Sequence, residues 1–337
     1  MVAQLDRAYV AARPARVWAR LVSYVLFEGR PLTTKGRWIN PVLFGVYRVL
    51  VALPPLRDCA APIFIIGTGR SGTTALGTVL SMHKDIGFLN EPKAVWHATY
   101  DREDIIGSYA KMPGRARLGA TDATPQARAR LHRLYGAYLW LSCNRRVLDK
   151  YPELVFRIDF VRALFPDAKF LFLCRNGWDT CGSISNWSRT HGTLGEDWWG
   201  RGDQKWQILV QEFAASDPEF APHSAQIMTW TDHRHRAAFE WVVSMRSGLE
   251  AQADDPDGIL TVPYEGLCHA PEQWMKAICA FAGLRPDHAL SAFATAKLRP
   301  VDPKPSFPLP AILEQPFAEV SRKVDAVPHW PNADIRG

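Results

Sequence analysis

The sequence predicts an α/β protein: an open parallel sheet of about five strands flanked by helices, with an N-terminal helical extension. Three observations support this fold class. An apolar run at residues 63–66 leads into a glycine-rich turn and then into helix-forming residues. A second apolar run, at residues 168–174, has the composition of a strand that is buried in a parallel sheet. Predicted strands alternate with predicted helices along the chain, as parallel sheets with helical crossovers require.

Length and composition limit the organisation and the partners of the chain. With 47% hydrophobic residues, 337 residues can bury one large core. We expect a helical extension at residues 1–60, a main domain at 61–300 and a proline-rich tail at 301–337 that packs on it. The net charge of +6 suits an anionic ligand, but long Lys/Arg runs are missing, so nucleic acid is not expected. The six cysteines form no C-x-x-C pair, which argues against zinc and a disulfide framework.

The first sixty residues contain two predicted helices. Apolar residues recur at helical spacing over residues 17–26, with Arg16 and Arg20 on the other side, which indicates an amphipathic helix. A second apolar stretch at residues 41–53 is too short for a membrane span. We expect both helices to pack on the main domain; the alternative is peripheral membrane contact through residues 16–53. The N-terminal residues lack a signal-peptide pattern, so we expect a cytoplasmic location.

The turn at residues 67–74 predicts a phosphate site. Glycines allow the backbone to approach an anion, and the amides that begin the following helix point at it. The spacing of Gly67 and Gly72 is similar to that of a nucleotide-triphosphatase P-loop, but Thr73 stands where such a loop has its lysine. A single cation, Arg70, lies within the turn instead. The predicted phosphate-binding residues are Gly69, Arg70, Ser71, Gly72, Thr73 and Thr74.

These residues carry a resemblance to a known family. Arg70-Ser71-Gly72-Thr73-Thr74, followed by Asn90-Glu91-Pro92, resembles the 5′-phosphosulfate loop of sulfotransferases that use 3′-phosphoadenosine 5′-phosphosulfate (PAPS). By motif, the chain is most similar to carbohydrate and tyrosylprotein sulfotransferases and their bacterial relatives. The resemblance implies PAPS as donor, no metal, and a hydroxylated acceptor. We favour a glycan, a glycolipid or another small hydroxylated molecule, and a tyrosylprotein-type acceptor is the alternative.

Two charged residues follow other predicted strands. Glu91 comes after a short strand at residues 86–89, and a carboxylate beside a phosphate site can act as general base. The resemblance places the proposed catalytic glutamate in this segment, with His97 as the second candidate. Lys150 ends another short strand before a proline, and by the same resemblance its ammonium faces the transferring sulfonate. The structural alternative is that Glu91 and Lys150 are ordinary surface residues, with Glu91 paired to Lys93.

A second motif begins where the apolar strand at residues 168–174 ends. Arg175 stands at the strand end, and Ser183 follows eight residues later, about two turns into the next predicted helix. The pair resembles the 3′-phosphate element of sulfotransferases. Asn176 replaces the aspartate of many members, a change that concerns a local turn contact rather than the phosphate-binding pair.

Later segments add weaker predictions. The last predicted strand, at residues 258–265, contains Tyr264, which the resemblance places beside the donor nucleotide. Sulfotransferases commonly close the 3′-phosphate site with a basic loop near this end, and Arg299 and Lys304 are equal candidates. Residues 186–232 contain five tryptophans, whose flat faces suit sugar rings but more often fill cores.

The predicted site residues share one position in the fold. Each lies at or near the carboxyl end of a predicted strand, and in an open parallel sheet these ends line one crevice. The resemblance implies that Glu91 removes the acceptor proton while Arg70 and Lys150 stabilise charge. A P-loop kinase or NTPase is one alternative, against which Thr73 argues. The other is a non-catalytic protein that binds the nucleotide or a membrane surface.

Overall fold

The structure, a computed structural model, describes residues 4–32, 34–192 and 196–331. Parts of the predicted extension (residues 1–3 and 33) and of the predicted tail (332–337) therefore lie outside the described residues. The strands of the described part are β1 (Ile63–Gly67), β2 (Ile86–Asn90), β3 (Arg146–Lys150), β4 (Lys169–Cys174), β5 (Glu196–Asp197), β6 (Gly200–Arg201) and β7 (Ile259–Pro263).

Helices surround the strands. The α-helices are α1 (Arg7–Ala12), α2 (Arg16–Val22), α3 (Asn40–Ala52), α4 (Thr73–Leu80), α5 (Lys93–Thr99), α6 (Pro125–Leu141), α7 (Ile158–Leu164), α8 (Gly177–His191), α9 (Gln204–Leu209), α10 (Ser224–Met228), α11 (His233–Asp254), α12 (Tyr264–His269), α13 (Pro271–Phe281), α14 (His288–Lys297) and α15 (Ala311–Asp325). π-helical turns occupy Ser23–Phe27 and Val210–Ala214, and 3₁₀ turns occupy Arg37–Ile39, Ala120–Asp122, Pro152–Phe156 and Ala221–His223.

Five strands form one parallel sheet in the order β2-β3-β1-β4-β7, and β5 pairs with β6 in a separate antiparallel hairpin. The prediction of a parallel sheet of about five strands flanked by helices is confirmed. In the register, Lys150 lies opposite both Asn90 and Ile65, and Cys174 lies opposite Pro263. The carboxyl ends of the strands therefore meet at one edge of the sheet, where ligands bind in folds of this kind.

The central strands β1 and β4 are apolar on both faces because both faces are covered. Phe64 and Phe170 point into a core shared with α6, α8 and α11. Ile65 and Leu171 point into a second core shared with α4, α13 and α14. Successive side chains of a strand alternate between the two faces, so a continuous apolar run is what a doubly covered strand needs.

The 3₁₀ turn Pro152–Phe156 and α7 are separated by Arg157, whose buried guanidinium donates to the backbone carbonyl groups of Ala116 and Arg115. One predicted element boundary differs in the structure. Tyr264 does not lie in the last strand, because β7 ends at Pro263 and Tyr264 begins α12. Proline has no backbone N–H to continue the ladder.

The helical extension packs beside the β2 edge of the sheet and against α6. Helix α2 of the extension buries its basic side and exposes its apolar side, whereas an amphipathic helix usually buries the apolar side. Arg16 and Arg20 are buried, whereas Trp18 and Leu21 are exposed. Arg16 donates to Asn144 Oδ1 at 2.6 Å, and Arg20 forms an ion pair with the buried Glu28 at 2.8 Å. Polar partners on the main domain and in the extension itself thus bury the basic side of this helix. No helix in the described part is long and apolar enough to cross a membrane.

Candidate active site

A cavity of about 340 Å³ opens at the carboxyl ends of the strands. We call it the main cavity; its lining residues are Gly69, Arg70, Gly72, Thr73, Thr74, Ala75, Glu91, Arg175, Ser183, Trp187, Trp198 and Tyr264. Nine of the predicted site residues are among them, whereas Ser71 and Lys150 are not. A larger cavity, of about 560 Å³, lies beside the outer edge of β7 and contains none of the predicted residues. Most of the predicted site residues therefore line the main cavity, and none lines the larger one.

The loop between β1 and α4 wraps around one wall of the main cavity. Gly72 precedes α4 with a φ of +99°, and a Cβ atom there would lie 2.2 Å from the Tyr264 ring. Only glycine fits such a position without strain. The amides of the first turn of α4, from Thr73 to Ala75, have no carbonyl within the helix to bind. They therefore lie at the positive end of the helix dipole, where the sequence predicts that an anion binds.

Ser71 has a different place from that of its neighbours. Its side chain is fully buried, and its hydroxyl donates to the carbonyl of Thr68 at 2.6 Å. Its amide is directed at the same carbonyl, at 3.3 Å. Ser71 therefore holds the loop in shape and does not line the cavity.

Two arginines and a serine form a cationic wall of the main cavity, and one of them, Arg70, belongs to the loop itself. Arg70 Nε donates to Ser183 Oγ at 3.3 Å, and Arg175 Nη1 donates to the Arg70 carbonyl at 3.4 Å. The Arg175 guanidinium lies 4.4 Å from the centre of the Tyr264 ring and forms a 3.4 Å ion pair with Asp179. Within the described chain, its buried Nε finds no hydrogen-bond partner. This wall therefore has a spare cationic donor.

The electrostatics of this wall favour an anion. Burial lowers the pKa of Arg70, the Glu91 carboxylate opposes that effect, and Arg175 lowers the pKa further. The Arg70 guanidinium nevertheless stays charged, because an arginine pKa starts far above neutrality. A dianionic group between Arg70 and Arg175 would relieve their mutual repulsion.

A third cation approaches from the C-terminal tail. The Lys304 amide donates to Asp179 Oδ1 at 2.6 Å, and its side chain packs beside Gly182 of α8. Burial and then the charge of Arg175 lower the pKa of Lys304, while Asp179 raises it. Arg299, the other candidate, is exposed to solvent. Of the two residues, Lys304 is the one that the fold brings to the arginines.

Asn176 preserves the turn that follows β4. Its side-chain oxygen accepts from the amides of Trp178 at 2.9 Å and Asp179 at 3.3 Å, which caps α8. Its own amide donates to Glu265 Oε1 at 3.0 Å. An amide oxygen can cap a helix as a carboxylate does, so the substitution leaves Arg175 at its place.

Glu91 forms the floor of the main cavity. It follows β2 with a left-handed φ of +51°, and its amide donates to the Lys150 carbonyl at 2.7 Å. The Lys150 ammonium lies 2.5 Å from Glu91 Oε1 and is 1% exposed. Burial alone would raise the pKa of Glu91, but Lys150 and Lys93 outweigh it and hold the pKa below its ordinary value. The structure thus places Lys150 behind Glu91 rather than on the cavity surface.

Behind Glu91, buried charges of alternating sign form a ladder that extends to the tryptophan-rich segment. Lys93 pairs with Glu153 at 3.3 Å, and Lys205 pairs with Glu153 at 3.7 Å and with Glu240 at 2.6 Å. Glu240 in turn accepts a 2.7 Å hydrogen bond from Trp198 Nε1. The sequence analysis missed this ladder, because its members lie far apart in the chain and no motif links them.

A smaller cavity of about 80 Å³ adjoins the main cavity; we call it the side cavity. Its lining residues are Pro31, Gly69, Glu91, Lys93, Ile106, Pro152, Glu153, Trp187, Asp197, Trp198 and Lys205. Glu91 and Trp198 line both cavities, so the carboxylate is reachable from either side. Trp198 also packs against Gly69, where a Cβ atom would lie 2.4 Å from its ring.

His97 and three of the five tryptophans of residues 186–232 line neither cavity. His97 stacks on Tyr109 with ring centres 5.5 Å apart, and burial lowers its pKa. Of the five tryptophans, Trp199 and Trp206 are buried. Throughout the described residues, no three His, Cys, Asp or Glu side chains are grouped so as to hold a metal ion.

Comparisons with known proteins relate the chain to one family. A family model described as the sulfotransferase family matches residues 62–288. Nodulation protein NoeE of Sinorhizobium fredii (strain NBRC 101917 / NGR234) is 28% identical over 130 residues. That match covers 37% of this chain and 31% of NoeE, so the alignment spans about a third of the curated relative.

Solved structures share the fold at low sequence identity. Sulfotransferase STF9 from Mycobacterium avium superposes with a TM-score of 0.50 at 15% identity, covering 85% of this chain and 81% of that one. The sulfotransferase domain of the Synechococcus PCC 7002 olefin synthase gives a TM-score of 0.48 at 19% identity, covering 81% and 97%. Because the family model matches well over half of the residues, this chain belongs to the sulfotransferase family.

Proposed function

We propose that this transferase moves a sulfuryl group from PAPS to a hydroxyl group of an acceptor. The observation that carries the proposal is the main cavity. It brings the loop between β1 and α4, the Arg175 and Ser183 pair and the Glu91 carboxylate to one edge of the sheet. An anion-binding wall that faces a carboxylate suits the transfer of an anionic group to a hydroxyl.

The residues present fit a bisphosphorylated donor. Arg175 has an unused buried Nε, and two more cations, Arg70 and Lys304, lie near it. Arg175, Ser183 and Lys304 would hold the 3′-phosphate, with Tyr264 against the nucleotide. Arg70 and the amides from Gly69 to Thr74 would hold the 5′-phosphosulfate. When bound, PAPS supplies the sulfuryl group, whose bond to the 5′-phosphate breaks as the bond to the acceptor oxygen forms.

The chain's own contribution is to move a proton and to stabilise charge. Glu91 takes the proton of the acceptor hydroxyl onto its carboxylate. Lys150 and Lys93 keep that carboxylate ionised at neutral pH, so it is ready to accept the proton. Arg70 and the loop amides stabilise negative charge at the opposite wall. Lys150 acts through Glu91, since its ammonium is buried against that carboxylate.

The side cavity is the proposed acceptor site. It is lined by two tryptophans, Trp187 and Trp198, beside charged groups such as Lys93 and Asp197. Aromatic faces with hydrogen-bonding groups around them suit a ring that carries several hydroxyl groups. A glycan, a glycolipid or another small hydroxylated molecule is therefore the proposed acceptor class.

A cytoplasmic location is also part of the proposal. All six cysteines are free thiols. Reduced, unpaired cysteines are typical of a reducing compartment.

The test is calorimetric titration with adenosine 3′,5′-bisphosphate, adenosine 5′-monophosphate and ATP. We expect the wild type to prefer the bisphosphate and Arg175→Ala to lose that preference, with a bisphosphate Kd about 10- to 150-fold higher, because a charged hydrogen bond is lost. Arg145→Ala is the matched control, since the Arg145 side chain is 76% exposed. An acceptor screen with labelled PAPS follows. Equal binding of all three nucleotides, or hydrolysis of ATP that depends on magnesium, would refute the proposal.

A further inference from the structure

Helix α2 of the extension and the π-helical turn that follows it expose apolar residues to solvent. Trp18 is 59% exposed, Leu21 is 37% exposed and Val25, in the π-helical turn that continues α2, is 42% exposed. Their spacing of three and four residues places them on one side. The opposite side carries Arg16 and Arg20, which are buried against the main domain. The exposed side is therefore apolar because the polar side is used for packing.

Helix α3 has an exposed apolar side as well. Trp38, just before it, is 79% exposed, and Val42, Val49 and Leu53 are 60%, 59% and 40% exposed. These positions are separated by about one or two helical turns, so they lie in one row. Open space surrounds Gly45 in the same row. A single exposed apolar residue needs no explanation, but an exposed apolar row does.

The π-helical turn that continues α2 packs against both α3 and α6. Its Phe27 ring lies 6.3 Å from the Tyr47 ring of α3 and 5.2 Å from the Tyr138 ring of α6. Trp18 Nε1 donates to the carbonyl of Leu141, at the end of α6, at 3.0 Å. The preceding residue on α6 is Trp140, which is 57% exposed. We define the apolar face as Trp18, Leu21, Val25, Trp38, Val42, Val49, Leu53 and Trp140.

The charge around the apolar face is mainly positive. Residues 6–58 contain nine arginines and lysines and three acidic residues: Asp6, which pairs with Lys297, Glu28, which is buried in its ion pair with Arg20, and the exposed Asp58. Four of the basic residues are exposed along the chain that carries the face: Lys35, Arg37, Arg48 and Arg57. An apolar surface within a basic border is complementary to an anionic surface with an apolar interior.

The face also adjoins the side cavity. Pro31 lines that cavity, and Trp38 follows it by seven residues. Arg37 forms a 3.4 Å ion pair with Glu196 of the β5–β6 hairpin, next to the lining residues Asp197 and Trp198. A surface that covered the apolar face would therefore lie close to the entrance of the side cavity.

We propose that the apolar face docks on the surface of an anionic phospholipid bilayer. Tryptophans are favoured at the interface between head groups and acyl chains, and exposed cations are attracted to anionic head groups. The contact is in the plane of the bilayer, as for other amphipathic surface helices. A second copy of the chain suits the face poorly, because a face-to-face dimer would bring two basic borders together. This docking does not depend on the proposed reaction.

The test is co-sedimentation of the full chain with vesicles of phosphatidylcholine alone and with 30% phosphatidylglycerol, in amounts spanning the binding curve. We expect binding to the anionic vesicles that weakens at 0.5 M NaCl. Trp18→Ser and Trp38→Ser should each lower the partition constant about fivefold, and both together about twentyfold, through lost apolar contact. Lys35→Glu with Arg48→Glu should lower it by a similar factor.

Trp330→Ser is the matched control. Trp330 is exposed to the same extent as Trp18, at 59%, but lies beside β7, at the opposite edge of the sheet from the extension. Its substitution should leave vesicle binding unchanged. Failure to bind anionic vesicles would overturn the proposal. So would equal loss in the control, or a dimer in light scattering that Trp38→Ser dissociates. None of these results would affect the nucleotide titration, which tests the proposed function separately.

Discussion

Two residues of the main cavity have backbone conformations that disfavour their own side chains. Arg70 has a φ of +68° and Glu91 a φ of +51°. For an L-residue other than glycine, this left-handed region costs about 1–2 kcal/mol. Strain of this kind is found at functional sites, where the surrounding structure enforces it. We therefore expect the site to reduce the stability of the fold.

Glycine and alanine substitutions at these two positions separate backbone strain from lost side chains. Both double variants, Arg70→Gly/Glu91→Gly and Arg70→Ala/Glu91→Ala, remove the same charges and leave Lys150 equally unpaired. Only glycine relieves the strain, by about 1–2 kcal/mol per position. Against this, glycine stabilises the unfolded chain by about 0.4–1 kcal/mol per position. The glycine variant should thus have the larger free energy of unfolding, by about 1–2 kcal/mol.

Urea unfolding followed by tryptophan fluorescence measures this difference, and both variants should lack sulfuryl transfer. Arg128 provides the matched control, because it is exposed on the regular helix α6. There, Arg128→Gly should be less stable than Arg128→Ala by about 1 kcal/mol. This difference in the free energy of unfolding has the opposite sign to that expected for the two double variants. If the alanine double variant equals or exceeds the glycine double variant in stability, the two backbones are not strained and the reasoning fails.

Four further predictions concern the proton acceptor and the third cation. Glu91→Gln should abolish turnover and leave adenosine 3′,5′-bisphosphate binding nearly unchanged by calorimetry; surviving turnover would contradict its role as base. Because the pKa of Glu91 lies below its ordinary value of 4.5, activity should fall only in acid below that pH. Lys150→Met removes the main lowering charge and leaves the burial that raises the pKa, so the acid limb of kcat/KM should move to higher pH; an unmoved limb would show that Lys150 does not act through Glu91. Lys304→Ala should weaken bisphosphate binding about tenfold or more while adenosine 5′-monophosphate binding stays the same, and Arg299→Ala, the control, should change neither.

Much of the site could be predicted because it depends on short stretches of chain. The loop at residues 67–74 and the strand end at Arg175 are local patterns, and a parallel sheet brings strand ends to one edge whatever the rest of the chain does. Glu91 and Tyr264 follow from the same rule, although Tyr264 begins a helix rather than ending a strand.

Other features depend on contacts that no local pattern encodes. The charge ladder from Lys93 through Glu153 and Lys205 joins residues up to 112 positions apart. No local sequence pattern marks any of these residues. The choice of Lys304 over Arg299 depends on how the tail crosses α8. Pairing across such distances is decided by packing, which sequence spacing does not reveal.

The extension separates most clearly what the sequence determined from what the tertiary structure decided. The helical period determined that Trp18 and Leu21 lie on one side of α2 and that Arg16 and Arg20 lie on the other. Which side is buried was decided only by the partners that the fold supplies. Glu28 pairs with the Arg20 guanidinium, and Asn144 and backbone carbonyl groups accept hydrogen bonds from Arg16 and Arg20, so both guanidiniums stay hydrogen-bonded when the basic side is buried. The apolar side is left at the surface because periodicity defines two faces, and only the surrounding structure determines which of them meets solvent.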